Sequence, residues 1–350
     1  MRIGHRMGLH RTGAAGADTR MPFFEEEMRL RVWWQIMSLE SSTRRKALGL
    51  TPSIADYGDV RMPMNVNDAD LHPQMAHRPT VQHPGATEML YCLMKYEVAL
   101  YVRSWLAVTA VATTNELVAS TSPDGMASKR KMLTDLEQIY EDKYLCYCDP
   151  SIPLHQISAA VARLTIHRSR FRCYHPRHQP DGGQYMSQAD QDVVFESSIR
   201  LLQLYCEPRV TNFSPHLVPC LLGQAEVEPL VYMVSELRQR VSGDLVHTAW
   251  ALVERMYEEY PQLVRDDDKF YTALADLTLK AWQARWPEVE AHGGAVPQLI
   301  AVLQAIRGNI GQENAPTGVI EGMVPDRGFQ FGLIYDDPLD WVYWNELPPL

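Results

Sequence analysis

"FFEEEMRLRVWWQIMSLES" occupies residues 23–41 and sets three consecutive glutamates, a fourth at position 40, two arginines and a double tryptophan in one short run. Met28, Val32, Ile36 and Leu39 recur at i, i+4, i+8 and i+11, the spacing of one face of an α-helix, with Trp33 beside that stripe. Glu25, Glu26 and Glu27 fall in the first turn, where carboxylates favour the positive end of the helix dipole. Glu25 with Arg29, and Glu27 with Arg31, are i, i+4 pairs in the favourable orientation. The stretch therefore predicts a helix whose acids are helix-start chemistry and whose apolar stripe faces a core.

Outward from this helix the same periodicity continues. It predicts helices at about 86–118, 129–145, 153–173, 226–241, 244–259, 267–286 and 296–307. Ser187 and Asp190 form a capping box that opens a further helix through Leu204. Gly243 and Gly308 stand at expected helix stops, Asp267 and Asp268 at an expected start. The segment "GLTPSIADYGDVRMPMNVNDADLHP", residues 49–73, reads as a long loop. No Asn-Gly hairpin and no sustained alternation of period two occurs. The expected fold is all-α: an irregular multi-helix body over residues 1–307, followed by a distinct tail over 308–350.

The composition suits a globular chain with ample core, 46% hydrophobic and 22% charged over 350 residues. A net charge of −10 argues against a surface built to neutralise phosphates over much of its area. The most apolar stretch, Val98–Ala112, is broken by Arg103 and too short to span hydrocarbon, so no membrane role is expected. The N-terminal "MRIGHRMGLHRTG" lacks the apolar core of a secretory signal, which makes an intracellular location the default. The six cysteines, at 92, 146, 148, 173, 206 and 220, are then expected to be reduced, and none forms a Cys-x2-Cys pair.

Few motifs carry chemistry. Asn65, Asn67, Asp68 and Asp70 have the oxygen density of a calcium loop but lack its glycine and its closing glutamate, so Asx turns and a helix cap are the better reading. Ser128–Lys131 matches S-x-x-K, yet its three adjacent cations read as a solvated surface on a linker. Cys173, His175 and His178, with Cys146 and Cys148 upstream, are soft ligands without zinc spacing. Pro176 there marks a helix end. His72, His77 and His83 lie in a proline-rich loop and are expected in solvent. Arg163, His167, Arg168, Arg170, Arg172 and Arg177 gather between positions 163 and 177. A helix with such a face could contact phosphate or an acidic partner, but pairing with the chain's own carboxylates is the expected fate of the set. No phosphate loop, dinucleotide fingerprint, zinc-protease or nucleophile-elbow motif is present. The expectation is therefore no enzyme, no catalytic residue and no metal or other cofactor. The alternative is a ligand-binding or enzymatic protein on the same helical scaffold, whose 16 methionines would line a cavity.

"RIGHRMGLHR", "FFEEEMRLRVWWQIMSLES", "MPMNVNDADLHP" and "ATEMLYCLMKYE", in that order and spacing, resemble the regulatory middle domain of fungal zinc-cluster transcription factors. "YLCYCDPSIPLHQISAAVARLTIHRSRFRCYHP" and "LTLKAWQARW" look like that domain's later helices, so the resemblance covers roughly residues 1–290. It implies that Arg29, Arg31, Trp33, Trp34, Asn65, Asn67, Asp68 and Asp70 are motif residues with structural roles. It also implies a nuclear regulator of a metabolic or secondary-metabolite gene set. Its partners would be other transcription-factor chains or coactivators, and in some members a small-molecule effector. The family's six-cysteine cluster, which holds zinc and binds DNA, has no counterpart in this chain. The chain is thus expected to begin inside the middle domain, as a cluster-lacking regulator or as part of a longer factor, and to reach DNA only indirectly.

From Val324 to Leu350 there are five acids, one base and six aromatic residues. Acidic–aromatic mixing keeps large apolar groups in water until a coactivator groove accepts them. Asp336, Asp337, Asp340, Trp341 and Trp344 form the candidate activation segment, with Trp341 and Trp344 at i and i+3. A tail folded back on the helical body, its tryptophans filling a surface groove, is the equal alternative.

Overall fold

A computed structural model describes residues 2–11, 21–48, 60–79, 82–109, 118, 120–179, 182–183, 186–206, 227–264 and 269–310. Among them are ten α-helices and no β-strand, as the helical periodicity predicts. The helices are α1 (Arg2–Arg6), α2 (Phe23–Leu48), α3 (Leu90–Thr109), α4 (Pro123–Lys143), α5 (Pro153–Tyr174), α6 (Gln188–Cys206), α7 (Val227–Glu236), α8 (Asp244–Glu259), α9 (Lys269–Ala291) and α10 (Gln298–Ile310). No described helix is long and apolar enough to cross a membrane.

The local chemistry at several helix ends is visible. The Ser187 hydroxyl accepts from the Asp190 amide at 3.2 Å, as the capping box requires. Helix α4 starts six residues before the expected 129: Ser122 is its N-cap, accepting from Gly125 N at 3.1 Å, and Pro123 takes the first position, where a missing N–H costs nothing. Gly243 does not stop a helix; it is the N-cap of α8, at φ 105°, a conformation open chiefly to glycine. Gly308 lies inside α10, and α9 continues past Pro287 to Ala291 instead of ending at 286.

Helix α5 is the hub. It packs against α3, α4 and α6, and its buried residues, among them Ile157, Ser158, Ala162, Leu164, Ile166, Arg168 and Phe171, point in every direction around the axis. Leu136 on α4 and Ala162 on α5 join Leu90, Met94 and Val98 of α3 in one apolar cluster. The larger cluster runs from Met132 through α5, α6, α7, α8 and α9 to Ile300 and Leu303 of α10. Two buried hydroxyls of α5 are satisfied within their own helix: Thr165 Oγ1 donates to Val161 O at 2.8 Å and Ser169 Oγ to Thr165 O at 2.6 Å.

Lys129 overturns the expectation of a solvated S-x-x-K surface. It lies inside α4 and is fully buried, its Nζ donating to Val118 O at 2.6 Å and Cys173 O at 3.2 Å. The ammonium thus crosses from α4 to the last turn of α5, where carbonyls lacking helical partners face it. Burial lowers its pKa.

At that same end of α5, His175 packs between Phe171 and Tyr232, with ring centroids 4.9 and 5.2 Å away. Its Nδ1 accepts from the Arg177 amide at 3.2 Å, so that nitrogen carries no proton. Desolvation, with the nearby Arg177 charge, lowers the His175 pKa from 6.5 to about 3. A base with a depressed folded pKa leaves stability intact above 6.5. As pH falls from 6.5 towards 3, the unfolded chain takes up a proton that the folded chain refuses, and stability is lost at up to about 1.4 kcal/mol per pH unit. His175→Gln should remove this component, flattening the dependence of urea-unfolding free energy on pH between 6.5 and 4 relative to the wild type. Parallel curves for the two proteins would contradict a buried neutral imidazole.

Candidate functional site

The residues that carry the sequence resemblance converge where α1, α2 and the loops 60–71 and 82–89 meet the start of α3. At the centre is Glu27, with no exposed surface. One carboxylate oxygen accepts from Met64 N at 2.8 Å, the other from Arg61 Nη1 at 3.0 Å. Arg31, one turn on, lies 3.6 Å from Glu27 and pairs with Asp68 at 2.7 Å. Arg61 also reaches Glu26 at 3.4 Å and lies over the Phe23 ring. Two acids of α2 are therefore joined through guanidinium groups to a loop almost forty residues later in the chain.

This arrangement corrects the expected orientation of α2. The Glu27–Arg31 and Glu25–Arg29 pairs form, the latter at 3.8 Å, but they are not merely helix-start chemistry. Met28, Val32 and Leu39 of the expected apolar stripe are exposed, at 37%, 47% and 64%. The buried face is instead Phe23, Glu27, Leu30, Trp33, Trp34 and Met37. It has equally good helical spacing, and a glutamate stands in its middle. Glu27 hides the true face from any count of apolar residues.

Adjacent tryptophans point about 100° apart on a helix, and here they enter different clusters. Trp33 is fully buried against α1, with His5 at 5.2 Å and His10 at 5.9 Å, and packs with Leu9 and Met37. The close approach of α1 requires Gly4: a Cβ there would lie 3.1 Å from the Trp33 ring. The turn after α1 closes on Gly8 at φ 69°, and Arg29 donates to the Met7 carbonyl. Trp34 faces the other way, against Tyr96 at 4.9 Å and with Met89 and Leu93 of α3. Its indole N–H donates to Arg61 O at 3.0 Å, which ties the loop to the same helix again.

The polar motif residues of the loop fasten it to the segment before α3. Asn65 Nδ2 donates to the carbonyls of His83 and Gly85 at 2.9 and 2.8 Å, and its Oδ1 accepts from Thr87 Oγ1 at 2.7 Å. Asn67 Oδ1 accepts from Glu88 N, and Glu88 accepts from Asp68 N at 2.6 Å. Asp70 accepts from Asn67 N at 2.9 Å and pairs with His83 at 2.7 Å. The His83 contact and the Asn67 amide lower the Asp70 pKa. The oxygens of the calcium-like string are engaged by protein donors. His72, His77 and His83 are exposed, as their proline-rich surroundings predict, and His83 in addition pairs with Asp70.

Elsewhere the candidate residues separate. Cys173 is buried, while the Cys146 and Cys148 thiols donate to the Asp142 and Tyr144 carbonyls. Among the described residues no group of three histidine, cysteine or acidic side chains is placed to hold a metal ion. Of the basic set, Arg168 on α5 meets Tyr205 OH at 2.5 Å, Arg170 on α5 pairs with Glu137, and Arg177, in the turn after α5, pairs with Glu228 at 3.3 Å. His167, flanked by Arg170, Arg200 and Arg163, is held neutral: burial and those charges lower its pKa to about 4. The activation segment, Asp336, Asp337, Asp340, Trp341 and Trp344, lies outside the described residues.

Comparison with known proteins agrees with the resemblance to fungal transcription factors. The chain is 32% identical over 303 residues to the aurofusarin cluster transcription factor of Gibberella zeae, an alignment covering 85% of this chain and 43% of that protein. It is 28% identical over 293 residues to the pyriculol/pyriculariol biosynthesis cluster transcription factor 1 of Pyricularia oryzae, covering 81% and 38%. A transcriptional regulator of Aspergillus aculeatus is 25% identical over 289 residues, with the same coverage of 81% and 38%. These homologues are fungal transcription factors of the zinc-cluster type. The chain spans less than half the length of these curated relatives. No family model and no solved structure matches it.

Removing one partner of a buried, ion-paired carboxylate leaves the other groups uncompensated. Glu27→Ala should therefore lower the unfolding free energy by about 3 kcal/mol, read by urea titration. Glu27→Gln, which keeps an acceptor for Met64 N, should cost less. In a double-mutant cycle, Glu27→Gln and Arg61→Met should be coupled by about 1 kcal/mol or more. Additive effects would show that the pair contributes nothing to holding the loop.

Proposed function

We infer that this chain is the regulatory region of a fungal transcription factor controlling a biosynthetic gene cluster, and that it works by protein–protein contact rather than catalysis. The alignment with regulators of two named biosynthetic clusters, over four-fifths or more of the chain, carries this reading. The geometry is in keeping with it: the motif residues are spent on holding α1 and α2 against loops and α3, as a scaffold requires, and not on a reaction. The site of action is then the nucleus. Zinc belongs to the DNA-binding cluster of such factors, outside residues 1–350, and no cofactor is assigned to this chain. Partners are coactivators and other transcription-factor chains, with DNA reached through the zinc-cluster region.

The acidic–aromatic tail is the assigned activating element. Trp341 and Trp344, three residues apart, present both rings on one face once the segment folds on a partner. Asp336, Asp337 and Asp340 keep that face in water beforehand and steer it towards a basic rim.

Fusing the full chain to a foreign DNA-binding domain should activate a reporter. Changing Trp341 and Trp344 together to alanine should reduce that activation at least tenfold, with the melting temperature of the chain unchanged. Loss of activation together with a lowered melting temperature would make the tail a packed structural element instead. An inert wild-type fusion would remove the activating role.

A further inference from the structure

Most of the partly buried arginines among the described residues have a carboxylate: Arg31 and Arg61 share Glu27, Arg177 has Glu228, Arg240 has Asp192 and Glu236, and Arg307 has Asp276. Arg285 differs. It is 8% exposed, on α9, and among the described residues no acid lies within ion-pair distance. Its Nη2 donates instead to His247 Nδ1 on α8, at 2.8 Å. Its guanidinium carbon sits 5.6 Å from the centroid of the Trp250 ring, also on α8. A buried cation satisfied by one neutral acceptor and an aromatic face is costly to hold without a counter-ion.

A second unsatisfied group is adjacent. The Trp250 indole N–H is buried and has no acceptor among the described residues, and a buried donor left open costs about 1–3 kcal/mol. Around these two donors the walls are aromatic. Trp282 meets Trp250 edge-on at 5.4 Å, and Trp286, half-buried at the rim, lies 5.9 Å from Trp282. The seam between α8 and α9 thus offers one buried positive charge, an indole donor and flat apolar walls.

That chemistry selects its ligand. A carboxylate matches the planar guanidinium fork and spares a second oxygen for the indole N–H. One cation supports one negative charge. Burial lowers the Arg285 pKa, while the Glu288 and Glu254 charges, beyond pairing distance, raise it and disfavour a dianion such as phosphate. An aromatic ring on the acid would lie against the tryptophan walls. We propose that the α8–α9 seam at Arg285, Trp250 and His247 is a binding site for a small aromatic monocarboxylate, its acid on Arg285 and the Trp250 indole, its ring against Trp282 and Trp286. The site is independent of the regulatory reading, and its failure would leave that reading intact.

The test uses 2-naphthoate and its neutral counterpart 2-naphthamide as probes on the full chain. Binding is followed by calorimetry and by the indole N–H signals of the eight tryptophans, with Trp250 identified through Trp250→Phe. Naphthoate should bind saturably and shift the Trp250 indole signal, naphthamide should bind at least tenfold more weakly, and Arg285→Met should weaken naphthoate at least tenfold. The wild-type comparison of acid with amide decides the matter even where Arg285→Met does not fold. Absence of saturable naphthoate binding, equal affinity for the amide, or binding that leaves the Trp250 signal unmoved would each overturn the proposal.

Discussion

A carboxylate with no access to water holds helix α2 to the loop 60–71. Glu27 cannot be solvated, so its charge has to be met by Arg61, Arg31 and the Met64 amide, and two of those groups come from a loop that has no regular structure of its own. An extended loop exposes backbone groups that a helix would satisfy internally. Here several are satisfied by side chains: Glu27 and Trp34 of α2 meet Met64 N and Arg61 O, Asp70 meets Asn67 N, and Glu88 meets Asp68 N. The loop's path is thereby fixed by ion pairs and hydrogen bonds together with the burial of Met64 and Val66 against Phe23.

Helix α2 acts as an adaptor because two consecutive tryptophans diverge. Trp33 receives α1 and its glycine-closed turn, and Trp34 receives α3. Helix α3 then carries the assembly into the main body, through the cluster that it shares with α4 and α5. The residues by which the sequence resembles fungal zinc-cluster factors are largely those that make these joints. That explains how a motif can recur without marking a reacting site: it specifies how a helix, a loop and a helix are clamped together.

Helical periodicity makes the fold class legible, and helix α8 lies at the residues it predicts, Asp244–Glu259. Face and role are harder to read. The exposed Met28, Val32 and Leu39 compete on equal spacing with the buried Phe23, Leu30, Trp34 and Met37, and a glutamate in the true face tips a hydrophobic count the wrong way. Lys129 escapes for the same reason, since a buried charge is recognisable only from its acceptors, one of them forty-four residues away in the chain. Asn65 and Asp70 are legible as turn-forming residues, whereas their partners at 83, 85 and 87 depend on a chain path that local spacing does not encode. The seam at Arg285 carries no motif at all. It arises only when α8 and α9 bring a histidine, three tryptophans and an arginine together.

Amide hydrogen exchange at Met64 tests the clamp most directly, because that N–H has Glu27 as its acceptor. With the clamp in place, the Met64 amide of the wild type exchanges only through large openings, as slowly as amides of α5 and α6. In Glu27→Ala it should exchange roughly 100-fold faster or more, and faster than the α5 and α6 amides of the same variant. Equal rates at Met64 in the two proteins would contradict the central role of the buried carboxylate.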